Sequence, residues 1–251
     1  QTNLSAEQRE EKLFDTLRHL NLGIDLICDP LERQELAQLN QIAGKKARVA
    51  TAYEAATSYL KVGIALLNKD CWQHQYDLTL ALYTSGSEAT FLSKNFAQME
   101  HWNATVLAKA KTILDRAKVY EIKILALISQ NNLLEGLNLG ISVLQQLEIG
   151  FPTEVQPHQV EAGFEETRNL LLNREIGDLI ELPVARDPHK RAAMRILAIV
   201  TTAAYKANPQ LLCLIILVKF AFDKIAPLSN NGFVNFIDDS SFANTQPHYQ
   251  I

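Results

Sequence analysis

Apolar residues recur at three- and four-residue spacing almost without interruption as far as Ala226, and no stretch alternates apolar with polar residues at period two. A chain patterned in this way can bury the stripes of helices but not the faces of a sheet, so the expected fold class is all-α. Of its 251 residues 47% are hydrophobic and 21% charged, with only 10 Gly and 8 Pro, which suits a structured helical chain with a sizeable core.

The helices are expected in pairs. Ser5, with Gln8 three residues on, opens a first helix over residues 6–27, where Leu13, Leu17, Leu20 and Ile24 form the stripe. Asp29-Pro30 stops that helix and starts the next, because proline suits a first helical turn. Residues 31–43 and 45–67 then read as two helices. Gly44 is their turn, and Ala47, Ala50, Tyr53, Ala56, Leu60, Gly63 and Leu67 form a face on which a neighbouring helix can pack closely. Trp72 lies in a connection where an indole can cover the open end of a pair. Further pairs are expected at 76–93 with 95–114 and at 116–130 with 132–147.

Setting the second helices side by side puts Tyr53, Phe96 and Leu134 in register, 43 and 38 residues apart. This is a degenerate helix-turn-helix repeat of about 40 residues, somewhat longer than a tetratricopeptide unit. The expected architecture is therefore an α-solenoid of antiparallel, tetratricopeptide-like pairs. Residues 1–150 hold the repeats, 151–228 hold further helical pairs, and 229–251 form a polar, flexible, irregular C-terminal tail rich in Asn, Ser and Asp. Within the second part, 157–172 is amphipathic, "EIGDLIELP" ends at Pro183 as a short helix or turn, and 187–208 carries Met194, Leu197, Val200, Ala204 and Ala207 toward a partner helix at 210–226.

Charge and cysteine usage narrow the function classes. With 24 basic residues against 28 acidic ones the net charge is -4, and no cationic run exceeds Lys45-Lys46 plus Arg48, so a nucleic-acid partner is not expected. Cys28, Cys71 and Cys213 are odd in number and far apart, which suits neither a disulfide framework nor a zinc site and fits a reducing, cytoplasmic setting. The apolar run Gln210 to Phe222 is too short for a membrane span and holds Lys219, so a buried helix is expected there. The N-terminal stretch lacks both Met and a signal-peptide pattern and reads as a piece of a longer chain.

Reactive constellations are not evident. The six histidines, at 19, 74, 101, 158, 189 and 248, never fall in HxxH, HxH or HExxH spacing, and no metal or other cofactor is expected. "AGKK" at 43–46 lacks the leading glycine of a phosphate loop, since Leu39 stands there. Neither Glu165-Glu166 nor Asp238-Asp239 has a nucleophile beside it, and Asp187-Pro188-His189-Lys190-Arg191 is explained by helix initiation as well as by anion binding. No catalytic residue is expected. The candidates for an interaction face are Tyr53, Tyr59, Tyr83, Phe91 and Trp102, although each also suits a core.

The segment "AGKKARVATAYEAA", with "W..QYDLTLALY" after it, closely resembles the helical-repeat region of cyanobacterial-type multi-sensor serine/threonine and histidine kinases. The resemblance runs on through "KVYEIKI" and "DLIELPVARDPHKRAAMRILAIVTTAAYKANPQLLCLII", covering residues 17–228. It implies a parent with a serine/threonine kinase domain, a predicted AAA-type ATPase module, this segment, a GAF sensor and a histidine kinase. None of the catalytic motifs of those domains stands in this chain: there is no HRD, DFG, Walker A lysine or phospho-acceptor histidine box. The implied function is a non-catalytic scaffold for protein–protein interaction in signal transduction, its partners being neighbouring kinase, ATPase and GAF domains or peptides. The alternative is the helical arm of an AAA-type ATPase that takes part in nucleotide-dependent switching; a membrane-associated helical protein is a third reading.

Overall fold

A computed structural model describes residues 6–171 and 187–224, and among them every regular element is helical. The expectations for "EIGDLIELP", for the tail at 229–251 and for the cap at Ser5 lie outside the described residues. The chain divides into two compact units, residues 1–122 and 123–251.

The first unit opens with α1 (Ala6–Leu22), whose stripe residue Leu17 is fully buried, followed by a 3-10 turn at Ile24–Leu26. Next come α2 (Pro30–Val49), α3 (Tyr53–Ala65), the short α4 (Cys71–His74), α5 (Tyr76–Leu92) and α6 (Phe96–Lys109). The Asp29-Pro30 start holds, since the Asp29 carboxylate accepts from Leu31 N–H at 3.2 Å and Pro30 fills the first turn, where its missing N–H is no loss. The division between the units falls inside α7 (Ile113–Ser129). The second unit continues with α8 (Leu133–Gln146), α9 (Pro157–Leu171), α10 (Pro188–Ala207) and α11 (Pro209–Lys224).

The Gly44 turn is overturned. Gly44 lies inside α2, is buried, and has an ordinary helical backbone: no glycine has positive φ among the described residues. Its role is closeness. A methyl group added there would lie 2.5 Å from Leu60 Cγ of α3, so only hydrogen lets the Leu60 side chain sit against the α2 backbone. Complete burial of that leucine contributes about 1.5–3 kcal/mol. Gly63 of α3 performs the same service for Leu82 of α5, at 2.7 Å, and Gly86 of α5 for the Trp102 ring of α6, at 2.8 Å. In this way α2 packs on α3, α3 on α5 and α5 on α6.

The real turns fall at residues of three different types. Thr51, Lys94 and Asn131 have φ of 60°, 60° and 64°, and each ends one helix two residues before the next begins. The hydrogen bonds repeat as well. At the first turn Ala52 N–H reaches Ala47 O at 2.9 Å and Thr51 N–H reaches Arg48 O at 3.0 Å. At the second, Asn95 N–H reaches Thr90 O at 2.8 Å and Lys94 N–H reaches Phe91 O at 3.0 Å. At the third, Asn132 N–H reaches Leu127 O at 2.9 Å and Asn131 N–H reaches Ile128 O at 3.0 Å. This is the Schellman pairing, which satisfies the last carbonyls of a helix by putting one residue in the left-handed region. The residue after it, Ala52, Asn95 or Asn132, then serves as N-cap of the next helix with nearly the same φ and ψ each time. A fourth copy of the turn, at Glu148, ends α8.

The turn also corrects the register. Tyr53, Phe96 and Leu133, not Leu134, are the first residues of α3, α6 and α8. Two adjacent leucines offered the sequence two choices, and the left-handed residue at 131 fixes which one is used.

In the second unit α8 packs on α10, α10 on α11 and α11 on α9. Of the stripe expected on α10, Leu197, Val200 and Ala204 are buried, but Met194 is half-buried and Ala207 is exposed; Ala192, Ala193, Ile196 and Ala203 complete the covered face. The Gln210–Phe222 run lies in α11, which buries Leu211, Leu214, Ile215, Leu217 and Val218. No helix among the described residues is long and apolar enough to cross a membrane.

Candidate functional site

The five aromatic candidates fall in separate places. Tyr53 is half-buried at the start of α3, and Tyr59 packs on the core of the first helices with its ring 5.7 Å from that of Phe14. Tyr83 faces Trp72 at 5.6 Å, and Phe91 lies 6.5 Å from Phe96 across the second turn. Trp102 is only 4% exposed, because its ring covers Gly86. Burial raises the pKa of the Tyr83 hydroxyl above its ordinary value, with Cys71 adding to the effect. No two of the five are brought together in a ring contact.

Two polar clusters in the first unit were not foreseen. In one, Tyr76 at the start of α5 donates to Asp115 Oδ2 at 2.8 Å and accepts from Lys111 N–H at 2.8 Å, while Lys111 Nζ stands 4.1 Å over its ring. Asp115 also accepts from Thr112 N–H, and its own N–H donates to Thr112 Oγ1, both at 3.1 Å. That reciprocal pair is a capping box for α7, tied by the tyrosine to the start of α5. Burial pushes the Asp115 carboxyl upward, but the hydrogen bonds from Tyr76 and Thr112, with the Lys111 charge, outweigh it and leave the pKa below its ordinary value. The Tyr76 hydroxyl is raised, first by burial. A sequence cue existed in the Thr-x-x-Asp spacing; its tyrosine partner, 36 residues away from Thr112 in the chain, left none.

In the other cluster Glu88 of α5 lies 3.4 Å from Arg48 Nη1 of α2 and 3.3 Å from Lys118 Nζ of α7. Lys118 also reaches Glu121 Oε2 at 3.6 Å, and that carboxylate-bearing residue is buried. The chain of alternating charge thus joins three helices that are distant in sequence. Such a cluster positions backbone rather than substrate, since every charge in it faces one of opposite sign.

Two shallow depressions occupy equivalent places beside the turns. One, of about 430 Å³, is lined by residues 51–55 and Ser93; the other, of about 640 Å³, by residues 131–135, Asn138 and Ala207. They present hydroxyls, carboxamides and one glutamate each, Glu54 and Glu135, and no nucleophile paired with a base. Among the described residues no three of His, Cys, Asp and Glu converge to hold a metal. His74 pairs with Asp70 at 3.3 Å and His189 with Asp187 at 3.7 Å, both near the surface. In the Asp187–Arg191 segment the Asp187 carboxylate caps α10 by accepting from His189 N–H at 2.9 Å. Glu166 has a raised pKa from burial alone. Cys28 is exposed, Cys71 buried and Cys213 half-buried, and all three are free thiols.

In comparison with known proteins, the chain is similar to hybrid signal transduction histidine kinase G of Dictyostelium discoideum, with 29% identity over 108 residues. That likeness covers 39% of this chain and 3% of the other protein, so the chain spans a small fraction of its relative's length. No family model matches the chain, and no solved structure matches it.

Proposed function

We propose that the chain is a non-catalytic helical-repeat scaffold of a large signal-transduction histidine kinase: an α-solenoid of tetratricopeptide-like pairs that relays contacts between ATPase or kinase domains and a sensor domain. The observation that carries this reading is the turn repeated at Thr51, Lys94 and Asn131, with the same pair of hydrogen bonds each time. A turn copied in this way supports a repeated helix pair, and stacked pairs offer extended surfaces to other domains without any reactive group. The partial similarity to a hybrid histidine kinase supports the signalling context.

The test is a deletion. Removing residues 43–67 from the longer kinase that this reading requires is expected to leave ATP hydrolysis and phosphotransfer intact in the catalytic domains while uncoupling them from the sensor's input. Loss of ATP hydrolysis, with helical circular dichroism preserved in the rest of the protein, would instead favour the helical arm of an AAA-type ATPase.

A further inference from the structure

Aligning the three turns shows what fills each pair. Eight residues before the N-cap stand Gly44, Ser87 and Ile124; eight residues after it stand Leu60, Asn103 and Gly140. All six are buried. In the first pair a large residue on α3 meets a glycine on α2. In the pair closed at Asn131 the large residue is Ile124 on α7 and the small one Gly140 on α8, where an added methyl group would lie 3.6 Å from Ile124 Cδ1 but much closer to Val200 Cγ1, so the glycine there admits a side chain of α10. In α5–α6 both positions are polar. Ser87 donates to the Tyr83 carbonyl of its own helix at 2.9 Å, and the Asn103 carboxamide has no hydrogen-bond partner at either Nδ2 or Oδ1.

The asymmetry extends along α5. Thr79, Ser87 and Thr90 are fully buried, and Thr79 Oγ1 and Thr84 Oγ1 also lack partners. Thr90 Oγ1 donates to Gly86 O at 2.8 Å, within its own helix. Hydroxyls turned back on their own helix weaken it and bind it to nothing else. A buried carboxamide without a partner is worse, because it has left water for no compensating bond. Against this, Glu88 ties α5 to α2 through Arg48 and to α7 through Lys118 from the outside.

We infer that the α5–α6 pair is the joint at which the first unit opens, with the buried, unpartnered Asn103 carboxamide as its weak point. The polar interior lowers the work of separating α5 from α6. Opening lifts the Trp102 ring off Gly86 while the α2–α3 pair, sealed by Leu60 on Gly44, stays closed. The inference rests on the packing of the first unit and not on the scaffold reading.

Native-state hydrogen exchange on the full chain tests it. Interior amides of α5 and α6 are expected to exchange ~10-fold or more faster than those of α2 and α3, the factor that one unsatisfied buried group gives. Asn103→Leu, close in volume and without the orphaned carboxamide, is expected to narrow this gap several-fold. Equal protection of the two pairs in the unmodified chain would overturn the inference, as would a gap that Asn103→Leu leaves unchanged. Should Asn103→Leu fail to fold, Asn103→Val takes its place, and a gap that it leaves unchanged overturns the inference.

Discussion

In the α2–α3 pair the turn at Thr51 leads into an interior of Ala37, Ala43, Ala56 and Leu60 with the buried Asn40 hydrogen-bonded to Asn21 and to Leu36 O; in the α5–α6 pair the turn at Lys94, bonded through the same two amides, leads into one that holds Thr79, Ser87, Thr90 and the unpartnered Asn103. One backbone device therefore serves two kinds of filling. Holding the connection fixed assigns any difference in stability between the pairs to side chains. It also explains why the repeat is degenerate in sequence, since the turn needs only one residue able to enter the left-handed region, and Thr51, Lys94 and Asn131 share nothing else.

The comparison breaks most readily at Leu60. Leu60→Asn puts the α5–α6 chemistry into the α2–α3 pair and is expected to lower stability by about 3–5 kcal/mol in urea unfolding, because it removes a buried aliphatic side chain and adds an orphaned amide. A much smaller loss would mean that the interior of α2–α3 tolerates an unpartnered polar group, beyond the hydrogen-bonded Asn40 it already holds, and does not differ from its neighbour. Gly44→Ala comes next. Its new methyl group meets the branched Cγ of Leu60 at 2.5 Å, where no flexible side-chain end can give way, and a loss of about 1–3 kcal/mol is expected. Gly136→Ala, in α8, is the milder case. There the nearest atom is Ile128 Cγ1 at 3.2 Å, and the better helix propensity of alanine brings the expected change to within about 1 kcal/mol of zero.

The turns should respond alike, which sharpens the comparison. Thr51→Gly and Lys94→Gly are each expected to raise the urea midpoint by an amount equivalent to about 0.5–1 kcal/mol, since glycine enters positive φ without strain. Asn131→Gly is expected to gain least, because asparagine already tolerates that region. Opposite signs at 51 and 94 would show that the two turns are not equivalent.

The smallest expected effect is that of pH. The Asp115 pKa is lowered in the folded chain, so its contribution is present above the unfolded carboxylate pKa and is lost as pH falls through the lowered folded value. Asp115→Asn is expected to flatten the acid side of the stability profile and to leave the neutral side with only the loss of that contribution, as followed by urea midpoints across the acid range. An unchanged acid limb would mean that the Tyr76 and Thr112 bonds do not hold the carboxylate in solution.

What the sequence made legible follows from how local each cause is. Helix spacing, the Asp29-Pro30 and Asp187-Pro188 starts and the all-helical class are readable because apolar periodicity and capping act within a few residues. Glycine misled for the opposite reason. Gly44 sits beside a pair of lysines and reads as a turn by itself, yet its function is defined by Leu60, 16 residues on and on another helix. The turn at Thr51 carries no such mark, since threonine is a poor choice for positive φ and is held there by the helices on either side. The aromatic candidates show the same limit. Trp102 and Tyr83 could be recognised as large apolar residues, but their covering partners, Gly86 and Trp72, are set by packing between helices. Tyr76 with Asp115 and Glu88 with Arg48 and Lys118 join elements 30 to 40 residues apart, a range at which no single-sequence pattern operates.

The most direct test of the central claim, that the interior and not the turn separates the two pairs, is the urea midpoint of Asn103→Leu. The account predicts a rise, because the substitution removes two buried polar atoms that have no partner and replaces them with apolar surface of similar volume. A fall in the midpoint would show that the Asn103 carboxamide is satisfied in solution and that the α5–α6 interior is not the weaker of the two.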